Sequence, residues 1–232
     1  MNASKPKLLI SLFTGMSVRN VLLTGLLQEL SKNLDIHIIL LDIDQALKKL
    51  LIKRNISFIA IKSTILTSFF YKLVTILNTI QYYSFYQKHR TKTMFKYVQR
   101  DKEKNPIKFF ILYISATIIG IFKNPFHFPS YPMSMILPKN IKKRIQHYDQ
   151  VLLFSTDINF DKAILAFCSK KVPVNIMVHS WDNLPSRGYI PGQINNLLVW
   201  NHTMKKEAIE LHNIPESRIH IVGCLQFNFY KT

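Results

Sequence analysis

KLLISLFTGMSVRNVLLTGLLQELSKNLDIHIILL, residues 7–41, carries the reading of the fold. KLLISLF (7–13) is apolar on both sides, as a strand buried on both faces is. The TGMS turn after it opens a helical pattern from Val18 to Lys32, with Leu22, Leu23, Leu26, Leu27 and Leu30 at helical spacing. DIHIILL (35–41) is a second apolar strand, and a short helix over 44–53 leads to a third, ISFIAI (56–61). Strands of this kind alternating with helices predict a parallel sheet with helices on both faces and right-handed crossovers, a Rossmann-like α/β fold.

The pattern resumes later in the chain. QVLLFST (150–156), a helix over 160–169, PVNIMV (173–178), NNLLVW (195–200), a helix over 203–211 and RIHIVG (218–223) extend the sheet, so residues 1–232 read as one Rossmann-like domain. Between the two halves, residues 64–148 form a helical, basic and aromatic insert. Its first part predicts one long helix from Leu66 to about Arg100. Its second part, FFILYISATIIGIF (109–122), is apolar almost all round but shorter than the roughly 20 residues that span a bilayer. It is either a buried helix or one lying in an interface. Pro125, Pro129, Pro132 and Pro138 then predict an irregular connection.

With 48% hydrophobic residues, the chain has ample material for a core. Its two cysteines, Cys168 and Cys224, have neither disulfide-framework nor metal-site spacing and are expected to be buried and reduced. The short apolar run at the N-terminus excludes a signal peptide reading. Net charge is +18, and most of it is local: between Leu51 and Tyr148 there are 17 Lys and Arg against Asp101 and Glu103, a net of +15. Basic residues flanking Phe, Tyr, Ile and Leu suit an anionic membrane surface. A drift in composition with no ligand behind it is the plainer alternative. Nucleic acid is not expected as a partner, because no nucleic-acid module accompanies the charge.

In an open parallel sheet, ligands gather beyond the carboxyl ends of the strands. Three clusters fall there. The first is Thr14, Gly15, Ser17, Arg19 and Asn20, where glycine allows a tight turn into a helix whose free amides can meet an anion; the same residues also read as an ordinary turn with Ser17 as N-cap. The second holds Thr156 and Asp157, with Asp157 either capping the next helix or serving a substrate hydroxyl. The third is VNIMVHSWDNLPSRG (174–188), which holds more polar groups than a turn requires. There His179 and Asp182 are candidates for a general base. Ser180, Asn183 and Arg187 suit sugar hydroxyls or phosphate oxygens, and Trp181 offers a flat face to a ring or to the core. A polar loop bonded to itself is the alternative. No third ligand has the spacing to make His179 and Asp182 a metal site.

The order of these pieces, residues 7–41, VLLFSTD (151–157), IMVHSWDNLPSRG (176–188) and LLVWNHTMKKEAIELHNIPESRIHIVGCLQFN (197–228), resembles the N-terminal half of GT-B glycosyltransferases, above all bacterial surface-polysaccharide enzymes. The CDP-glycerol-type glycerophosphotransferases of wall teichoic acid are similar in layout, with a WHG-type loop where this chain has Ser180, Trp181 and Asp182. The resemblance implies that this half binds a glycan or lipid-linked acceptor and supplies the base, His179 or Asp182. The nucleotide-sugar donor of the full enzyme would be bound by a C-terminal domain that this chain lacks, hence by a separate domain or subunit, with no cofactor held by this chain alone. It also implies a cytoplasmic location, peripheral on the inner face of the cell membrane. A non-catalytic membrane-associated scaffold with the same fold is the rival reading.

Overall fold

The computed structural model describes residues 4–122, 130–154, 158–168, 171–190 and 193–230. The described strands are β1 (Lys7–Leu12), β2 (Asp35–Leu41), β3 (Ser57–Ile61), β4 (Gln150–Leu153), β5 (Val174–Met177), β6 (Asn196–Val199) and β7 (Ile219–Ile221). All pair in parallel, in the order β3-β2-β1-β4-β5-β6-β7. The winding direction reverses between β1 and β4, so the connections after these two strands leave toward opposite sides. This is the Rossmann-like architecture that the apolar runs predict.

Period-2 alternation divides the core into two layers. Leu8, Ile10 and Leu12 of β1, with Ile38 and Leu40 of β2, face α1 (Gly15–Leu22), α2 (Leu26–Ser31) and α3 (Gln45–Lys53). Leu9, Ile39 and Ile59, with Ile176 and Leu197, face the opposite layer. It includes α4 (Phe69–His89), α7 (Ser130–Ser134), α8 (Lys139–Ile145), α9 (Asn159–Cys168) and α11 (His202–His212). Full burial of one such Leu or Ile contributes about 1.5–3 kcal/mol, so both layers matter to stability.

On the α1 side, the β4–β7 half of the sheet carries polar rather than apolar residues at its amino end. Asn175 Nδ2 donates to Gln150 Oε1 at 3.2 Å and Asn196 Nδ2 to Asn175 Oδ1 at 2.8 Å. His220 Nε2 meets Asn196 Oδ1 at 2.9 Å, completing a ladder across four strands.

Several expected elements come out differently. The helix expected over 18–32 is two helices, because Gly25 takes φ +82 and separates α1 from α2. Its cap is Thr14, not Ser17: Thr14 Oγ1 accepts from Ser17 N at 3.1 Å, and Ser17 fills the third position of a reciprocal capping box. The long helix expected over 66–100 is α4, α5 (Lys92–Lys104) and a preceding 3₁₀ turn, Ser63–Thr67. Arg90 ends α4 in the left-handed conformation, φ 50, with its guanidinium 5.4 Å over the Tyr86 ring. No Gly or Pro marks that break. Of the expected irregular connection, Pro125 and Pro129 lie outside the described residues, whereas Pro132 falls within α7 and Pro138 precedes α8. Cys168 is buried, and burial pushes its thiol up to about 12; Cys224, expected buried, is only partly covered. Both are free thiols.

The segment expected over 109–122 is α6 (Pro106–Phe122), packed along α4. One side of it is buried, as the first reading expects, and the other is exposed. Among the described residues, no helix is long and apolar enough to cross a membrane.

A third cluster joins the insert to the sheet domain. Fully buried Phe85 of α4 stands edge-on to Tyr189 at 4.8 Å and lies 5.4 Å from the His212 ring of α11. His212 Nε2–H donates to the Leu184 carbonyl at 2.9 Å, and burial, not this bond, favours the neutral ring. Burial lowers its pKa from 6.5 to about 4, opposed by the Leu184 bond and helped by His89 and Lys162. The unfolded chain therefore takes up this proton first. The stabilisation is complete above about pH 6.5 and declines as pH falls toward about 4, at up to about 1.4 kcal/mol per pH unit. Urea unfolding at about pH 7 and about pH 5 should show this slope, and His212→Gln should flatten it. An unchanged slope in the variant would remove His212 as its source.

Candidate functional site

Parallel pairing puts the carboxyl ends of β1, β4, β5 and β6 along one edge, so the loops after them share it. At the β1 end, Gly15 opens α1 beside a small cleft of about 170 Å³ lined by Phe13, Thr14, Gly15, Leu41, Ile43 and Asp44. That is below the roughly 300–1,000 Å³ of small-molecule sites, so the cleft holds at most part of a ligand. Gly15 does not need its conformational freedom, since its φ is not positive and a Cβ there would meet nothing within 4 Å. Gly15→Ala should be near neutral, within about 0.5 kcal/mol. Ser17 is buried and its hydroxyl donates to the Thr14 carbonyl at 2.8 Å, so its polar atoms serve the cap. Arg19 Nη2 donates to Gln226 Oε1 at 2.7 Å. Asn20 is buried, with Oδ1 lacking a hydrogen-bond partner among the described residues.

Thr156 and Asp157, after β4, lie outside the described residues. Phe154, the residue that follows β4, is nonetheless informative. Its carbonyl accepts from His179 across the β4–β5 edge. A carbonyl only accepts, so Nδ1 carries the hydrogen, and in the neutral ring Nε2 is then the acceptor nitrogen. His179 is 7% exposed.

The loop after β5 is a turn leading into α10 (Asn183–Ser186), a short helix rather than an open polar loop. Ser180 Oγ donates to Asp182 Oδ1 at 2.5 Å, and Ser186 Oγ bonds the Asp182 carbonyl. His179 and Asp182 are not bonded to each other and act as separate groups. Trp181 stands 65% exposed, so it is no part of the core. Asn183 is buried, and its Nδ2 has no hydrogen-bond partner among the described residues.

Arg187 and Gly188 turn toward the insert. Burial, reinforced by Asp101, pushes the Tyr82 phenol of α4 up to about 12, and the neighbouring Arg187 guanidinium works against that rise. Gly188 has φ +77, and a Cβ there would sit 3.4 Å from the Tyr82 Cα. Gly188→Ala should cost about 1–2 kcal/mol, against near neutrality for Gly15→Ala. Thermal melts of both check this contrast; equal melting temperatures would contradict it.

Other groups complete the edge. Trp200 Nε1 donates to the Val178 carbonyl at 2.8 Å, holding the end of β6 to that of β5. The 3₁₀ segment Leu225–Tyr230 runs against α1, with Leu225 in the α1-side core and Phe227 6.5 Å from Trp200. Sequence reading missed Asp161 and Lys162 in the first turns of α9, buried at 2% and 3% exposure. Ionisable side chains so deeply covered are uncommon. The available signal was Asp-Lys inside an otherwise apolar helix, NFDKAILAFC.

A wider open groove of about 910 Å³ lies at the opposite edge, lined by Lys5, Lys7, Asp35 and Arg54 among others. Two of its cations are engaged locally: Lys5 Nζ donates to the Ser31 carbonyl at 2.8 Å and Arg54 Nη1 to the Leu22 carbonyl at 3.2 Å. Size alone does not outweigh the rule that places ligands at carboxyl ends. Among the described residues, no group of three or more His, Cys, Asp or Glu could hold a metal ion. No protein-family model matches the chain, and no curated protein sequence matches it significantly.

Proposed function

We propose that these residues are the acceptor-binding half of a GT-B-type glycosyltransferase, working with a donor-binding half on a glycan or lipid-linked acceptor. The observation that carries this reading is the edge after β5, where a histidine with a fixed tautomer, a carboxylate and an exposed tryptophan stand within four residues. In an inverting transfer, the acceptor hydroxyl attacks the anomeric carbon and gives its proton to His179 Nε2. The bond to the nucleotide diphosphate breaks, and the leaving group keeps the electron pair. Trp181 offers a face on which a sugar ring can stack. Ser180 fixes Asp182, which suits a carboxylate that orients acceptor hydroxyls.

Calorimetric titration with lipid-linked and free oligosaccharide acceptors tests the binding half of this reading without a donor. Saturable binding is expected, weakened about tenfold by Trp181→Ala. Failure of every sugar acceptor to bind would sink the reading.

A further inference from the structure

α6 carries apolar side chains on two opposite sides. Leu112 and Ala116 are buried in the cluster it shares with α4. Ile107, Phe110, Ile111, Ile114 and Ile118 are exposed, with Ile107 at 74% and Phe110 at 64%. At helical spacing these five fall within an arc of about 100°, forming one continuous row. Single exposed isoleucines are ordinary on a protein surface, but a file of five is not. The only charged residue on α6 is Lys108.

The preceding helix, joined to α6 through Asn105, supplies the charge. Lys92, Lys96 and Arg100 of α5 recur every four residues and, with Thr93 and Tyr97, line an open cleft of about 590 Å³. Arg100 lies 5.2 Å over the Tyr97 ring. Among the described residues, none of the three cations has a carboxylate within ion-pair distance. Like charges four residues apart repel, so an anion filling the cleft relieves a local cost.

We propose that α5 and α6 form a docking face for an anionic phospholipid bilayer. The exposed row of α6 lies among the acyl chains, with the helix axis in the plane of the interface, and the α5 cleft takes headgroup phosphates. Charge decides between this occupant and a second copy of the chain. A copy brings another +18 and the same row of cations, whereas an anionic surface complements both the apolar file and the charge. Thr91 Oγ1 at the start of α5 donates to the Pro185 carbonyl of α10 at 2.7 Å, so docking also positions the loop after β5 relative to lipid. The inference rests on the α5 cleft and the exposed row of α6 and stands without the transferase reading.

Co-sedimentation of the full chain with phosphatidylcholine vesicles containing about a third phosphatidylglycerol, against phosphatidylcholine alone, tests it. Binding is expected on the anionic vesicles and should weaken with salt. Lys92→Gln, Lys96→Gln and Arg100→Gln together should reduce partitioning about 100-fold. Phe110→Ser with Ile114→Ser should reduce it about tenfold or more. These positions are at the surface, so circular dichroism and melting temperature should stay near those of the unaltered chain. Equal binding to both vesicle types, or no binding at low salt, would overturn the proposal. So would a dimer in solution that the Phe110→Ser, Ile114→Ser variant dissolves while vesicle binding persists, since a second copy would then own the face.

Discussion

Under the transferase reading proposed above, with the donor-binding half supplied, His179→Ala is expected to lower turnover by at least about 100-fold, with acceptor affinity changed far less. The expectation follows from tautomer control. The Phe154 carbonyl accepts the Nδ1 hydrogen, so in the neutral ring Nε2 is the nitrogen that can accept a proton. Asp182→Asn keeps an acceptor for the Ser180 hydroxyl and tests the alternative base. A turnover loss for Asp182→Asn with none for His179→Ala would move the base to the carboxylate. Unchanged turnover in both variants, measured by release of the nucleotide diphosphate, would return both residues to structural roles.

Phe85→Ala is expected to have the largest effect on stability, about 3–5 kcal/mol, with a melting temperature lower by roughly 10 °C or more. The ring is fully buried where three elements meet: His89 of its own helix at 4.7 Å, Tyr189 from the segment after α10, and His212 of α11. Truncation leaves a cavity between parts of the chain distant in sequence, which cannot collapse by a local rotamer change. The insert should loosen first, so limited proteolysis near Arg90 is expected to accelerate in the variant. A melting curve that overlays that of the unaltered chain would show that the three elements are held by other contacts.

The sheet was legible because strands buried on both faces announce themselves as continuous apolar runs, as in KLLISLF and DIHIILL. Helix interruptions were legible only where residue chemistry shows them. Arg90 adopts the left-handed conformation without being Gly or Asn, so nothing in HRTKT distinguishes it from helix. Gly25 was a visible signal, overridden by the leucine spacing around it. At the candidate site, the crowding of polar groups after β5 was readable, but their partners were not. His179 bonds a backbone carbonyl 25 residues away, and Arg19 reaches Gln226 across 207 residues. Such pairings are fixed by strand order and by where the last segment crosses the edge, and local pattern carries neither.

The amide ladder on the β4–β7 half has a bearing on how the strands find their register. In a sheet whose other positions are interchangeable aliphatics, sliding β5 or β6 by one residue would merely exchange one apolar side chain for another. Here it would carry Asn175 or Asn196 to the face now filled by Ile176 and Leu197, where an amide without a partner costs about 1–3 kcal/mol. Gln150, Asn175, Asn196 and His220 thus work as alignment marks, rejecting the misregistered sheets that its aliphatic positions would otherwise tolerate.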